Sequence, residues 1–321
     1  MKRPLSTAVL AALSLGLLAA PAHAQTSSKG GYVMVTFLSG IDYWKDAYRG
    51  MQAAGKELGV ATTYTGSVNY ELNDNIATLE QVIARKPAGI LLTVMNADAL
   101  RPTIDKAIKA GIPVVTFDAD SPKSNRYAFL GTGNERAGAE AARYLCSKVS
   151  SGEVAISSVP AQQNHVERRT GFTTYLKANC PGLKVVATTD DKTDSSVAAR
   201  EMASVLQAHP NVKGIFATDA AGGVGVAQAV KEARQTGKIK IVSFDYDQGT
   251  LDNIDKGVID ATVAQGTWQM GYWGLKMLDS VAKNRISSVS NWRTAGISPL
   301  PPMIDTGVSI ITKANSKSWR K

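Results

Sequence analysis

The chain has 321 residues, of which 44% are hydrophobic and 20% charged, and its formal net charge is +9. That length is enough for a large core and about two domains. Lys and Arg are scattered among Asp and Glu, with no like-charged block outside the tail from Lys313 to Lys321. This favours a solvated basic surface and argues against a nucleic-acid partner.

The chain opens with Lys2 and Arg3, then runs apolar and uncharged from Ala8 to Ala20. Pro21-Ala22-His23-Ala24 follows, with small residues where a signal peptidase reads. The pattern predicts an export signal over residues 1–24, cleaved after Ala24. The apolar run is shorter than the ~20 residues of a spanning helix. Cys146 and Cys180 are the two cysteines. After export they could form one disulfide or remain as two buried thiols.

From Tyr32 the elements alternate. Tyr32–Leu38 reads as a buried strand, Ser39–Trp44 as a polar loop and Lys45–Leu58 as a helix stopped by Gly59. Strand Ala61–Tyr64, helix Leu72–Arg85, strand Gly89–Val94, helix Leu100–Ala110 and strand Ile112–Asp118 follow. The order then repeats. Strand Glu153–Val159 leads through the polar loop Ala161–His165 to helix Val166–Ala178. Strand Leu183–Thr189, helix Ser195–His209, strand Gly214–Asp219, helix Gly225–Thr236 and strand Ile239–Asp245 come next, then strand Ile259–Ala264. Three landmarks recur between the halves: Arg49-Gly50 with Thr170-Gly171, Gly89-Ile90 with Gly214-Ile215, and Phe117-Asp118 with Phe244-Asp245. Alternating short strands and helices predict an α/β fold of two doubly wound parallel-sheet lobes. Ligands in such sheets sit outside the carboxyl ends of the strands.

The side chains expected at those ends are Asp42, Tyr43, Trp44, Asn96 and Asp118 in the first half, and Arg168, Asp219, Asp245 and Gln265 in the second. Carboxylates accept, Arg donates in a fork, and Asn and Gln do both, which suits vicinal hydroxyls. Tyr43 and Trp44 could lie in the core. Their place after a polar loop favours stacking on the C–H face of a sugar ring. Asp98, Asp120 and Asp247 read better as helix caps or turn residues. No enzyme motif is present: Gly131-Thr132-Gly133 is followed by Arg136 rather than Gly, and neither a P-loop nor a nucleophile elbow occurs. No cofactor and no metal are expected.

Tyr43-Trp44, Gly89-Ile90-Leu91-Leu92, Ile112–Asp118, Arg168-Arg169-Thr170-Gly171-Phe172, Val242-Ser243-Phe244-Asp245 and Ala264-Gln265 together carry a family resemblance. Over nearly the whole chain after the signal, the sequence resembles the ribose-binding-protein-like, type I periplasmic binding proteins of sugar ABC transporters. The resemblance implies a hinge of three segments near 130–133, 264–266 and 305–307. The first lobe would hold residues 25–130 and 267–304, the second 134–263 and 308–321. It implies a periplasmic, monomeric receptor for a monosaccharide or related polyol, with an ABC-transporter membrane permease as partner. Chemotaxis or autoinducer-2-like signal uptake is the alternative role. Tyr43 and Trp44 would stack on the sugar, while Asp118, Arg168, Asp245 and Gln265 would bond its hydroxyls. Ribose binders carry Arg at Ala119, often Asn at Asp219, and Asn-Pro at Ile41-Asp42, so another pentose, a hexose or a polyol is equally implied.

Overall fold

The structure, a computed structural model, describes residues 30–285 and 300–320. The export signal expected at residues 1–24 lies outside the described residues. No helix among the described residues is long and apolar enough to cross a membrane.

The first half runs β1 (Tyr32–Thr36), α1 (Tyr43–Leu58), β2 (Thr62–Gly66), α2 (Leu72–Ala84), β3 (Gly89–Leu92), α3 (Ala97–Lys109), β4 (Val114–Phe117) and β5 (Phe129–Gly131). The second runs α4 (Asn134–Cys146), β6 (Gly152–Ser158), α5 (Gln163–Asn179), β7 (Leu183–Asp190), α6 (Ser195–Ala208), β8 (Val212–Ala217), α7 (Ala220–Glu232), β9 (Lys240–Phe244), α8 (Gln248–Asp255) and β10 (Ala261–Gln265). Then come α9 (Thr267–Ala282), β11 (Met303–Asp305), β12 (Val308–Thr312) and a short 3-10 turn at Ser316–Trp319.

The strands form two six-stranded sheets of the same topology. The orders are β11-β5-β4-β3-β1-β2 and β12-β10-β9-β8-β6-β7. All neighbours are parallel except β12, which runs antiparallel to β10. Strands such as Gly89-Ile90-Leu91-Leu92 are buried along their whole length. They are continuous apolar runs because helices cover both faces. One face of the first sheet shares a core with α1 and α9, built on Trp44, Met51, Phe117 and Leu275. The other packs Leu79, Ile83, Leu100 and Ile104 from α2 and α3. The second sheet repeats this, with α4 and α5 on one face and α6, α7 and α8 on the other.

The chain passes between the sheets at three places among the described residues: after Gly131, after Gln265, and between Asp305 and Val308. Helix α9 follows β10 of the second sheet yet packs on α1 of the first unit. Cys146 and Cys180 are joined as a disulfide, with Cα atoms 6.2 Å apart, so the pairing left open by the sequence is made.

Candidate functional site in the interlobe cleft

The carboxyl ends of both sheets face one another, and two aspartates mark equivalent points. Asp118 follows β4 and Asp245 follows β9. Both are non-glycine residues in the left-handed region, with φ of 63° and 64°. Each backbone N–H donates to the neighbouring strand, Asp118 to the Leu130 carbonyl and Asp245 to the Val263 carbonyl, both at 2.9 Å. A left-handed aspartate is strained and persists where surrounding structure fixes it, a pattern that clusters at ligand sites. The two halves hold the same unusual turn.

Between these aspartates runs one hydrogen-bonded chain. Tyr43 Oη donates to Asp118 Oδ1 at 2.6 Å. Gln265 Nε2 donates to Tyr43 Oη at 2.9 Å and to Asp245 Oδ1 at 2.8 Å. Gln265 Oε1 accepts from Thr132 Oγ1 at 2.7 Å and from Arg168 Nη2 at 2.9 Å. Arg168 also donates through Nε to Asn134 Oδ1 and through Nη1 to the Thr218 carbonyl, each at 2.9 Å. Its guanidinium lies 3.9 Å from the centre of the Phe244 ring. Five residues proposed from sequence, Tyr43, Asp118, Arg168, Asp245 and Gln265, thus meet in one buried cluster drawn from both units. This set donates in a fork, accepts on carboxylates and does both through an amide.

Burial sets the electrostatics. It pushes Asp245 up to about 7, against the pull of Arg168 and the Gln265 amide. Burial also raises Asp118, with the Tyr43 hydroxyl and Arg168 opposing. Tyr43 is held well above its ordinary range by burial and by the charges of Asp118 and Asp245. Desolvation disfavours the charged carboxylate, and only strong donors offset it. A guest that supplies hydroxyl donors would do the same.

The other four candidates stand differently. Trp44 is 2% exposed and belongs to the core of the first unit. Its indole N–H donates to the Phe37 carbonyl at 3.1 Å, and its ring meets Phe37, Tyr43 and Phe117 edge-on. That corrects the expectation that Trp44 stacks on a ligand: a buried indole needs one acceptor, and Phe37 provides it. Asp42 is open to solvent, with its side chain 76% exposed and paired to Lys45. Asn96 caps α3 by accepting from Ala99 N at 3.0 Å, and it also lines the larger cavity of the cleft. Asp219 caps α7 by accepting from Gly222 N at 2.6 Å. Its second oxygen is buried without a hydrogen-bond partner. Burial and the nearby charge of Asp191 raise Asp219 well above the usual carboxylate range.

The structure adds Thr132, Asn134 and Thr218, which hold Gln265 and Arg168 in place. Their chemistry is too common to single out in a sequence. His165 is buried 2.8 Å from the Thr218 hydroxyl, and burial with Arg168 and Arg169 nearby lowers it well below its ordinary range. A neutral ring results.

Residues 32–286 match the model of a family described as periplasmic binding protein domain. The chain belongs to that family. A sugar-binding protein of a sugar ABC transporter from Bacillus halodurans is 43% identical, with a TM-score of 0.85, over 90% of this chain and 99% of that one. AraP, an arabinose binding protein from Geobacillus stearothermophilus, is 42% identical, with a TM-score of 0.82, over 91% and 99%. The D-allose-binding periplasmic protein of Escherichia coli K12 is 28% identical over 79% of this chain and 85% of its own. These relatives are binding proteins. The doubly wound units seen here are those of the type I periplasmic fold.

Proposed function

We propose that this protein captures a monosaccharide or closely related polyol between its two units, outside the cytoplasm, and as a monomer delivers it to the permease of an ABC importer. The observation that carries this reading is the cluster of Tyr43, Asp118, Arg168, Asp245 and Gln265, which draws hydroxyl-reading groups from both sheets to one point. The names of the relatives, for allose and arabinose binders, point the same way. The three crossings serve as the hinge, near 130–133, 264–266 and 305–307. Residues 25–130 with 267–304 move against residues 134–263 with 308–321. A solute touching both aspartates binds the closed form better and so shifts the population toward it.

Calorimetric titration with D-ribose, D-allose, L-arabinose, D-arabinose, D-galactose and D-tagatose tests the reading. At least one is expected to bind at micromolar affinity or better, about −8 kcal/mol. Asp245→Ala is expected to weaken that sugar by roughly tenfold to a hundredfold, the worth of a charged hydrogen bond, while the far-ultraviolet dichroism stays native. No binding across the panel, or full affinity in Asp245→Ala, contradicts it.

A further inference from the structure

The residues that meet between Asp118 and Asp245 leave a larger space beside them. A cleft of about 800 Å³ opens on the α3 side of Asp118. Of the five clustered residues only Asp118 lines it. The space therefore adds to whatever the inner cluster encloses. Pockets that bury a drug-sized solute hold roughly 300–1,000 Å³, and one sugar ring fills only a small part of such a volume.

We propose that the cleft is built for an elongated neutral saccharide, of two units or a single sugar carrying a glycosidic substituent. The first unit contacts Asp118, and the second lies on the floor between Asn96, Arg126 and Gln163. This rests on the sugar-binding reading above and extends its substrate class beyond the free monosaccharide. Three observations carry it. First, the walls come from both units: Asn96 and Ala119 on one side, Gln162, Gln163 and Asn164 on the other. Ala119 directly follows Asp118 and lines the cleft with only a methyl group beside it. Second, the cations of the cleft are already matched. Arg126 donates through Nε to Asp120 at 2.5 Å, Lys123 pairs with Asp98 at 3.6 Å, and Arg136 pairs with Asp305 at 2.5 Å. An anionic solute would have to displace an existing partner. Third, the remaining chemistry suits hydroxyls and C–H faces. Asn96 spends its oxygen on capping α3, which leaves its amide nitrogen to donate. Gln163 bonds Glu167 through Nε2 at 3.0 Å, which leaves its carbonyl oxygen to accept. Phe37, Val94, Met95 and the half-exposed Met303 give the apolar surface.

The test compares, by calorimetry, the best monosaccharide of the panel with its methyl glycosides and with disaccharides that carry it at the non-reducing or reducing end. At least one extended form is expected to bind within about tenfold of the monosaccharide or tighter. Gln163→Ala is then expected to weaken that extended form by roughly three- to tenfold, the value of one neutral hydrogen bond, and to leave the monosaccharide unchanged. If every substitution of the monosaccharide costs about a hundredfold or more, the inner site is closed around one ring and the proposal is overturned while the sugar-binding reading stands. Equal losses for both solutes in Gln163→Ala overturn the second subsite. If neither free nor extended sugars bind, the sugar-binding reading fails and this proposal fails with it.

Discussion

The helix pair α1–α9 in the first unit and the pair α4–α5 in the second occupy equivalent places and touch in the same way. A Cβ added at Gly50 would lie 2.0 Å from the Trp268 carbonyl oxygen, and one at Gly271 would lie 1.8 Å from that of Ala47. In the second unit the same contact is made by Gly138, 1.9 Å from the Arg168 carbonyl, and Gly171, 1.8 Å from that of Glu135. Backbone meets backbone in both. What differs is how the far end is held. Eight residues after Gly138 stands Cys146, bonded to Cys180. Eight residues after Gly271 stands Asp279, 1% exposed, which accepts from the Tyr32 hydroxyl at 3.0 Å and pairs with Lys283 at 2.6 Å. The cleft ends differ as well. Three residues before Gly171 the second unit has Arg168, which reaches the cluster between Asp118 and Asp245, whereas three before Gly50 the first has Ala47, which is core. A duplicated backbone is kept where atoms touch, and side chains diverge where they face the cleft or a free end.

The largest expected effect breaks the comparison at its covalent end. Replacing both Cys146 and Cys180 by Ser removes a cross-link spanning 34 residues. Loop-closure entropy puts the loss at about 3–4 kcal/mol, read from urea unfolding. Asp279→Ala, which strands the buried Tyr32 hydroxyl, is expected to cost about 1–3 kcal/mol. If the serine variant loses less than Asp279→Ala, the covalent tie is not the stronger clamp.

Next comes the shared contact. Gly171→Ala forces two helix backbones apart and is expected to cost about 3 kcal/mol, the upper end for overpacking. Gly50→Ala should cost the same within about 1 kcal/mol if the two pairs are equivalent. A neutral result for either, in denaturant titrations, would show that its contact relaxes freely.

The last effect is linked to pH and concerns the twin aspartates. Asp245 is raised to about 7 by burial, and Asp118 is raised for the same reason. The empty folded protein therefore binds protons that the unfolded chain, with carboxyls near 4, has released. Its stability falls as pH rises from about 4 to about 7, because the native state binds more protons across that window. Solute hydroxyls donating to Asp245 favour the charged form, so binding releases protons. Affinity should weaken as pH drops below about 7. Calorimetry at about pH 6 in two buffers of different ionisation heat measures the release. A proton count of zero, with affinity flat across this range, contradicts the raised values.

Much of this was legible in the sequence. The buried strands ending in Phe117-Asp118 and Phe244-Asp245 read correctly because apolar runs bounded by polar turns have few other uses. The repeat of landmarks between the halves led to both units. Helix α4 was not read, because its buried face is Ala137, Ala141, Ala142 and Leu145, too small to give a strong periodic signal. Strand β5 is three residues long, and β11 is as short. Helix α7 begins at Ala220, not Gly225, because Asp219 caps it across a glycine-rich first turn. At the site, Trp44 failed as a stacking residue because sequence cannot tell which neighbour of a polar loop turns inward. Asn134 and Thr132 were invisible because their role depends on Arg168 and Gln265, which lie 34 and 133 residues away.

A crystal structure of the protein saturated with the tightest-binding sugar bears most directly on the shared cleft. The expected result is one solute accepting or donating hydrogen bonds at both Asp118 and Asp245, with Tyr43 and Gln265 turned from each other toward its hydroxyls. A solute held by the loops of one sheet alone, with the Asp118–Tyr43–Gln265–Asp245 chain still intact, would contradict it.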